Sequence, residues 1–258
     1  MAQGPQILTR LDRVETFETL ASTSDACMAR AREGEDGPLW IMAQSQSAGR
    51  GRLGRAWSSP RGNLHASLLL VDPAPMRIAP QLGFVAGLAL IDALRAQAPH
   101  ALFALKWPND VLCAGAKLAG VLVEGAGLLD GRFAAVIGFG VNCAHHPADL
   151  PYAATDLAAQ GAPCAPGALL ERLVASFARR FAQWAGGEGF AGLRTDWLGC
   201  AANLGAPIEV RQGARVLNGL FETIDAEGRL ILSGPDGRVA LEAGDVFPLG
   251  AIDERMMK

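Results

Sequence analysis

The chain has 258 residues, of which 50% are hydrophobic and 19% are charged, and its formal net charge is −3. A chain of this length and composition buries a full core and forms one large domain, or one large domain and one small domain. The composition excludes an intrinsically disordered chain, and the acidic balance argues against non-specific nucleic-acid binding.

The cysteines and the apolar stretches predict where the protein resides. The five cysteines are odd in number and widely scattered, so they indicate neither a disulfide framework nor a zinc site and favour a reducing cytoplasm. The N-terminal residues lack a signal-peptide pattern. The most apolar stretch, residues 82–94, is too short to cross a bilayer and contains Asp92, so no membrane association is expected.

Apolar periodicity and turn residues predict the elements of residues 1–203 in chain order. A helix over residues 25–32 is capped by Ser22 or Ser24 and ends at Gly34. Further helices are expected over residues 80–98, from Pro166 onward, and over residues 190–198. Strands are expected near residues 39–43, 64–71, 102–106, 118–124 and 133–141. Together these elements predict an α+β domain.

After Asn203 the chain changes to short strands separated by turns. The strands are expected over residues 208–211, 216–224, 230–232 and 239–242. Residues 204–258 therefore predict a small all-β barrel of about fifty residues, which has little core of its own and leans on the larger domain.

Residues 49–57, here called the Gly–Arg loop, carry the strongest signal for function. The loop interleaves glycines with arginines and ends in a tryptophan: Gly49, Arg50, Gly51, Arg52, Gly54, Arg55 and Trp57. Glycine lets the backbone approach a ligand closely, and arginine supplies bidentate donors that are permanently charged. The tryptophan offers a flat surface on which an aromatic base can stack. This loop is predicted to close over an anion.

The same residues match the dinucleotide pattern G-x-G-x-x-G between Gly49 and Gly54. That fingerprint requires a helix to open within the motif, so that its N-terminus holds the pyrophosphate. Here turn residues and the strand-like residues 64–71 follow instead. The pattern is strand, loop, strand, which argues against a nicotinamide-cofactor oxidoreductase.

Four other segments accompany the loop: Ser22–Asp25, Lys106–Asp110, Lys117–Glu124 and Val136–Asn142. In this order and spacing they resemble the biotin–protein ligases, which activate biotin with ATP and attach it to a lysine of a carrier protein. The resemblance covers roughly residues 10–250 and implies a mixed β-sheet with packed helices, like class II synthetases, plus an SH3-like C-terminal domain. Few residues precede Ser22, so the ligase-only form without a DNA-binding domain is expected, with no binding to DNA.

The resemblance also implies roles for residues. Lys117 and Arg52 are the expected catalytic residues, with Lys117 bridging biotin and phosphate. The expected biotin-binding residues are Ser22, Thr23, Ser24, Gln46, Gly49, Arg50, Gly51, Arg52, Lys117 and Gly120. The expected ATP-binding and adenylate-binding residues are Arg52, Arg55, Trp57, Lys106, Asn109, Lys117 and Asn142. Asp110 is expected near Mg²⁺, and Gly138 and Gly140 are interpreted as glycines that admit a close backbone approach.

The resemblance further implies substrates, partners and departures from the pattern. ATP with Mg²⁺ and biotin are the expected small molecules, a biotin carboxyl-carrier domain is the expected protein partner, and homodimers are common in the family. Three positions depart from the family: Ser24 replaces an asparagine, Arg61 a glycine and His65 a tyrosine. His65 alternates with apolar neighbours and is interpreted as a strand residue rather than a base.

Other interpretations stay open at this stage. A lipoate–protein ligase has a similar fold and reaction, and a non-catalytic module that binds biotin or a nucleotide is a third possibility. Locally, Ser22 is also explained as a helix cap, Asp110 as a turn residue, Trp57 as a core residue and Lys117 as a surface lysine.

Overall fold

The computed structural model describes residues 11–235 and 237–249. Its larger sheet has seven strands in the order β1-β2-β3-β7-β6-β5-β4. The strands are β1 (Val14–Leu20), β2 (Leu39–Gln46), β3 (Leu64–Val71), β4 (Phe103–Lys106), β5 (Asp110–Cys113), β6 (Ala116–Gly127) and β7 (Phe133–Val141). β1 runs parallel to β2 and every other neighbouring pair is antiparallel, so the sheet is mixed, as predicted.

Four α-helices pack on this sheet: α1 (Thr23–Arg32), α2 (Leu82–Gln97), α3 (Pro166–Trp184) and α4 (Phe190–Leu198). α1 contacts β2, β3 and β7, whereas α2 contacts α3, α4, β4 and β6. The two groups cover opposite faces, because Leu39 and Ile41 share a core with α1 while Trp40 packs with Phe177 of α3. Burial on both faces explains why β2 and β3 read as continuous apolar runs.

The apolar helix α2 continues a 3₁₀ turn over Met76–Gln81. The combined 22-residue segment Met76–Gln97 is longer than the stretch recognised from sequence and long enough to cross a membrane, and an 18-residue window within it has a mean hydropathy of 1.4. Within the fold, 67% of its apolar window is buried against the sheet and the other helices. Its hydropathy is therefore that of a core helix.

A second sheet lies at the C-terminal end, with five antiparallel strands in the order β11-β10-β9-β8-β12. The strands are β8 (Pro207–Gln212), β9 (Arg215–Ile224), β10 (Leu230–Gly234), β11 (Gly237–Leu241) and β12 (Asp245–Pro248). Its buried side chains, such as Ile208 and Phe221, belong to the same apolar cluster as α2 and α3. The small domain therefore shares its core with the large one.

Three strands were not predicted from the sequence. At the edge of the sheet, β1 has apolar residues at every third position instead of every second (Val14, Phe17 and Leu20), and β5 and β12 have only four residues each. β5 and β12 nevertheless position the site, because they carry Asp110 and Asp245 at their first residues.

Candidate active site

Two adjoining cavities open where the Gly–Arg loop meets the large sheet and the small domain. The first is about 110 Å³ and the second, between the two domains, is about 640 Å³. Both are lined by Arg52, Arg55, Asn109, Asp110, Lys117, Tyr152 and Asp245. The fold thus brings two loop arginines, a strand lysine and two carboxylates to one junction.

The inner end of the first cavity is a polar network at the N-terminus of α1. Ser22 caps the helix, accepting a hydrogen bond from the backbone N–H of Asp25 at 3.3 Å. The Thr23 backbone N–H donates to Gln46 Oε1 at 2.8 Å. Ser67 Oγ lies 2.7 Å from Thr23 Oγ1 and 3.0 Å from Ser24 Oγ. These buried hydroxyl and amide groups are interconnected, which fixes their directions.

Ser67 is a site residue that the sequence analysis missed. It is fully buried on β3 and lines the first cavity. The available signal was a hydroxyl within an otherwise apolar strand that is buried along its whole length. A hydroxyl in such a place requires hydrogen-bond partners, and here they are Thr23 and Ser24.

Backbone hydrogen bonds order the Gly–Arg loop. The Trp57 N–H donates to the Gly49 carbonyl at 2.9 Å, and the Gly51 N–H donates to the Arg55 carbonyl at 2.8 Å. A Cβ atom on Gly49 would lie 2.5 Å from Ser59 Oγ, so only glycine fits there. Gly49 itself lines neither cavity; it closes the base of the loop, whereas Gly51 lines the first cavity.

Arg50 is tied to the large domain at the start of the loop. Its Nη2 lies 2.8 Å from Asp25 Oδ1 and 3.1 Å from Glu124 Oε2. The hydrogen bond to Asp25 raises the pKa of the Arg50 guanidinium, and Glu124 adds to the effect. Arg50 therefore joins the loop to α1 and β6 at one wall of the first cavity.

Arg52 and Arg55 reach in the other direction, toward β12. Arg55 Nη2 donates to both carboxylate oxygens of Asp245, at 2.8 and 2.9 Å. Arg52 Nη1 donates to the Gly244 carbonyl at 3.2 Å and to Asn109 Oδ1 at 3.4 Å. Hydrogen bonding to Asp245 raises the pKa of Arg55, while burial lowers the pKa of Arg52. The small domain thus contacts the loop directly through residues that the sequence analysis did not assign.

Lys117 stands at the junction of the two cavities. Its Nζ lies 2.8 Å from Asp110 Oδ1, and the two side chains are 19% and 16% exposed. The lysine also faces the rings of Trp57 and Tyr152, at 5.6 and 5.4 Å from their centroids. Lys117 is therefore a fixed, largely buried cation and not a surface lysine.

The backbone N–H and the backbone carbonyl of Lys117 both form hydrogen bonds with residues 153–155. Its N–H donates to the Ala153 carbonyl at 2.8 Å, and its carbonyl accepts from the Thr155 N–H at 2.9 Å. Asn142 Nδ2 donates to the Thr155 carbonyl at 3.0 Å. Asn142 lines only a smaller side cavity with Trp57 and Lys117, so the structure does not bring it to the two main cavities.

Trp57 lies flat on the backbone of paired glycines. Gly120 of β6 and Gly140 of β7 are register partners, and a Cβ atom on Gly140 would lie 2.5 Å from the indole. A Cβ atom on Gly138 would lie 2.9 Å from Ser24 Oγ. These distances confirm that Gly138 and Gly140 are positions where other groups approach the backbone closely. The indole N–H has no hydrogen-bond partner within the described residues.

The remaining predicted residues lie at the second cavity or away from both. Lys106 lines the second cavity, at the end of β4. Asn109 lines both, and its Nδ2 donates to the Val121 carbonyl at 3.0 Å. His65 is 1% exposed and lies outside both cavities, with Nε2 donating to the Pro60 carbonyl at 3.1 Å. Burial lowers the pKa of His65.

Few side chains at the two cavities could coordinate Mg²⁺. No group of three metal-binding side chains occurs among the residues that the structure describes. Two carboxylates line both cavities, Asp110 with a side chain 16% exposed and Asp245 with one 35% exposed. Mg²⁺ at nucleotide sites uses one or two carboxylates, with phosphates and waters as its other ligands, so Asp110 fits such an ion.

Comparisons with known proteins agree with this geometry. The model of the Biotin/lipoate A/B protein ligase family matches residues 18–142, and that of the Biotin protein ligase C terminal domain matches residues 204–247. The chain is 45% identical over 221 residues to a biotin--[acetyl-CoA-carboxylase] ligase from Paracoccus denitrificans, covering 83% of this chain and 92% of the relative. The chain belongs to the biotin–protein ligases. The family resemblance, the fold class and the enzyme class predicted from the sequence are confirmed.

Other members of the family extend the comparison. A biotin--[acetyl-CoA-carboxylase] ligase from Mycobacterium tuberculosis is 34% identical over 245 residues, covering 92% of this chain and 89% of the relative. A biotin protein ligase from Aquifex aeolicus, solved with biotin and ATP, superposes with a TM-score of 0.77 at 24% identity over 92% of this chain and 98% of that one. That similarity shows the shared fold, including the small SH3-like domain.

Replacing Gly140 with alanine is expected to displace Trp57, because the added Cβ atom would lie 2.5 Å from the indole. The measurement is the fluorescence contribution of Trp57, taken as the difference between each variant and the same variant carrying Trp57→Phe. Gly140→Ala should give a more solvent-exposed indole. Gly127→Ala is the matched control. Gly127 belongs to the same pair of strands, β6 and β7, and nothing lies within 4 Å of its added Cβ atom. An unchanged Trp57 contribution in Gly140→Ala would contradict the packing described.

Proposed function

We propose that this protein activates biotin with ATP as biotinyl-5′-AMP and then transfers the biotinyl group to a lysine of a biotin carboxyl-carrier domain. Membership of the biotin–protein ligases supports the class of reaction. The observation that carries the mechanism is the position of Lys117, a buried cation that lines both adjoining cavities. A carboxylate in one cavity and an α-phosphate in the other would meet at its ammonium group.

The first cavity suits the bicyclic ring of biotin. The ureido group of biotin presents one carbonyl acceptor and two N–H donors. The network of Ser22, Thr23, Gln46 and Ser67 offers hydroxyl and amide groups of both kinds at the inner end of the cavity. Biotin bound with its ureido group in this network directs its carboxylate outward, toward Lys117 and Arg52. Ser24, Arg50, Gly51 and Gly120 complete the walls.

The second cavity suits ATP. Lys106, Arg55 and Arg52 supply positive charge around it, and the larger volume accommodates a nucleotide. Trp57 lines the first cavity beside Lys117, where its ring adjoins the junction that the adenylate would occupy. Asn109 positions Arg52, and Asn142 acts through Thr155 to hold the Lys117 segment. Asn142 thus supports the adenylate site indirectly.

In the first step, a carboxylate oxygen of biotin attacks the α-phosphorus of ATP. An oxygen–phosphorus bond forms, the bond from the α-phosphorus to the bridging oxygen breaks, and pyrophosphate leaves. The two reactants are anions, so their approach requires cations fixed in advance at the point of contact. Lys117 is such a cation because its backbone is held on both sides and its ammonium faces Asp110. Mg²⁺, with Asp110 as a ligand, would neutralise phosphate charge.

In the second step, the lysine amine of the carrier attacks the acyl carbon of the adenylate. The carbon–nitrogen bond forms, the acyl–phosphate bond breaks, AMP leaves, and the amine loses its proton to solvent. Until then the mixed anhydride must be kept from water. The Gly–Arg loop lines the junction, which suits that requirement.

The free thiols of all five cysteines fit a cytoplasmic location, and a homodimer remains an expectation from the family.

The direct test is pyrophosphate release from MgATP, followed by addition of a carrier domain. We expect release that depends on biotin, and biotin on the carrier afterwards. Activity with lipoate in place of biotin would retain the fold and overturn the substrate. Tight biotin binding without pyrophosphate release would indicate a binding module instead of a ligase.

Lys117→Ala is expected to lower the rate of adenylation by about 10²–10³, the effect of removing one preorganised donor that stabilises developing charge. The measurement is single-turnover pyrophosphate release at saturating biotin and ATP. The circular dichroism spectrum and the melting temperature serve to show that the variant folds. A rate within threefold of the wild type would remove Lys117 from its assigned role.

Arg52→Gly is expected to speed dissociation of the adenylate by about tenfold, because it removes charge-assisted hydrogen bonds that tie the loop to Asn109 and Gly244. The affinity for biotin alone should change less. Arg61→Gly is the matched control, because Arg61 pairs with Glu18 and lines neither cavity. Equal dissociation rates in the wild type and Arg52→Gly would rule out retention by this loop.

A further inference from the structure

The cations that line the second cavity are paired in different ways. Arg55 and Lys117 each have a carboxylate oxygen at 2.8 Å, from Asp245 and Asp110. Arg52 has Asp245 at 4.0 Å. Among the described residues, the Lys106 ammonium group has no carboxylate within 4.0 Å and no hydrogen-bond partner. Lys106 is also largely buried, and that burial lowers the pKa of its ammonium group.

What holds Lys106 is an aromatic ring from the small domain. Its Nζ lies 5.5 Å from the centroid of the Phe247 ring, within the range of a cation–π interaction. Phe247 stands on β12, two residues after Asp245, so both side chains leave the strand on the same side. Val246, between them, points the other way and is buried in the small domain. Both Phe247 and Lys106 line the second cavity.

The kind of partner matters for phosphate binding. A carboxylate orients an ammonium group but also neutralises it, so an incoming phosphate must compete for the charge. The face of a neutral ring orients the ammonium group through its quadrupole and leaves the net charge intact. Within the described part of the chain, Lys106 is therefore the cation of the second cavity that lies against a neutral ring and has no carboxylate oxygen within 4.0 Å.

We propose that Phe247 is a positioning residue that holds the ammonium group of Lys106 in the second cavity, where Lys106 binds the phosphates of ATP. This inference rests on the function proposed above. It assigns to the small domain a part in ATP binding that acts through Lys106 and needs no contact between Phe247 and the nucleotide.

Arg211 provides a control on the same ring. Its guanidinium carbon lies 4.7 Å from the Phe247 centroid, on a neighbouring strand of the small domain, and Arg211 lines neither cavity. Arg211→Met therefore removes a cation from Phe247 without touching the cavity. If Phe247 only stabilised the packing of β12, this substitution and Phe247→Leu would have similar effects.

The first measurement is the dissociation constant for MgATP, by calorimetry on the full chain. Phe247→Leu should weaken binding by about three- to tenfold, the range of one cation–π contact, while Phe247→Tyr retains wild-type affinity. Arg211→Met should stay within twofold of the wild type. In the Lys106→Met background, Phe247→Leu should cause no further loss. The KM for biotin should not change in Phe247→Leu.

The second measurement observes the contact itself and needs no activity. The chain has only three lysines, so protein labelled with ¹³C at lysine Cε gives three resolvable signals. The Lys106 signal, assigned with Lys106→Arg, should show an upfield ring-current shift in the wild type and Phe247→Tyr. Phe247→Leu should abolish it.

The outcomes separate this inference from the proposed function. Failure of the wild type to bind ATP would overturn both. ATP binding with equal affinity in the wild type and Phe247→Leu would overturn only the role of Phe247. The role of Phe247 would also be overturned if adding Phe247→Leu to Lys106→Met weakened MgATP binding further. The same holds if Arg211→Met weakened MgATP binding as much as Phe247→Leu. Absence of the ring-current shift in the wild type would refute the contact.

Discussion

The organisation of the site follows from one electrostatic constraint, which is that several cations must stay close together in one cleft between the two domains. Two unit charges 4 Å apart repel by about 4 kcal/mol at an effective dielectric constant near 20. The cleft holds Arg52, Arg55, Lys106 and Lys117 with two carboxylates, Asp110 and Asp245. Four positive and two negative charges leave a net charge of about +2. This excess is enough to attract a polyphosphate, while the carboxylates hold Arg55 and Lys117 in place.

The constraint also explains why two domains meet at the site. The large sheet supplies Lys117 and Asp110 from adjacent strands, with the lysine backbone held between β5 and residues 153–155. Those strands pair Arg50 with Glu124 but leave Arg52 and Arg55 without a carboxylate partner. The first residue of β12 supplies it, since Asp245 accepts from Arg55. The continuous apolar core beneath both sheets fixes the distance between these partners, because Gly228 of the small domain lies against Phe84 of α2.

Local patterns in the sequence were sufficient for much of the fold. β2, β3, β7 and the helices carry long apolar runs or capping residues, and they form where the patterns indicate. The Gly–Arg loop, Lys117 and Asp110 were recognised from motif residues, and the structure brings them together. The missed elements are short or polar: β5 and β12 have four residues each, too few for a period to show.

The missed site residues share a different cause. Asp245 acts on Arg55 across 190 positions of chain, and Tyr152 reaches Lys117 from an irregular segment. Such contacts depend on how domains and loops pack, and the spacing of residues within a short segment does not predict that packing. Gly49 and Asn142 show the converse. The family resemblance predicts that both contact a ligand, which stays a prediction; in the structure Gly49 closes the base of the loop and Asn142 donates to the Thr155 carbonyl.

The small number of lysines has a consequence for an enzyme of this class. An acyl-adenylate acylates any accessible amine, so a ligase that makes one is exposed to its own product. Of 23 basic residues only three are lysines, and the rest are arginines, which carry the same charge without a readily acylated amine. Lys106 and Lys117 line the second cavity, where their side chains lie against Phe247 and Asp110. Lys258 is the one other lysine of the sequence, so an acyl-adenylate that left the cavities would meet few side-chain amines on this chain.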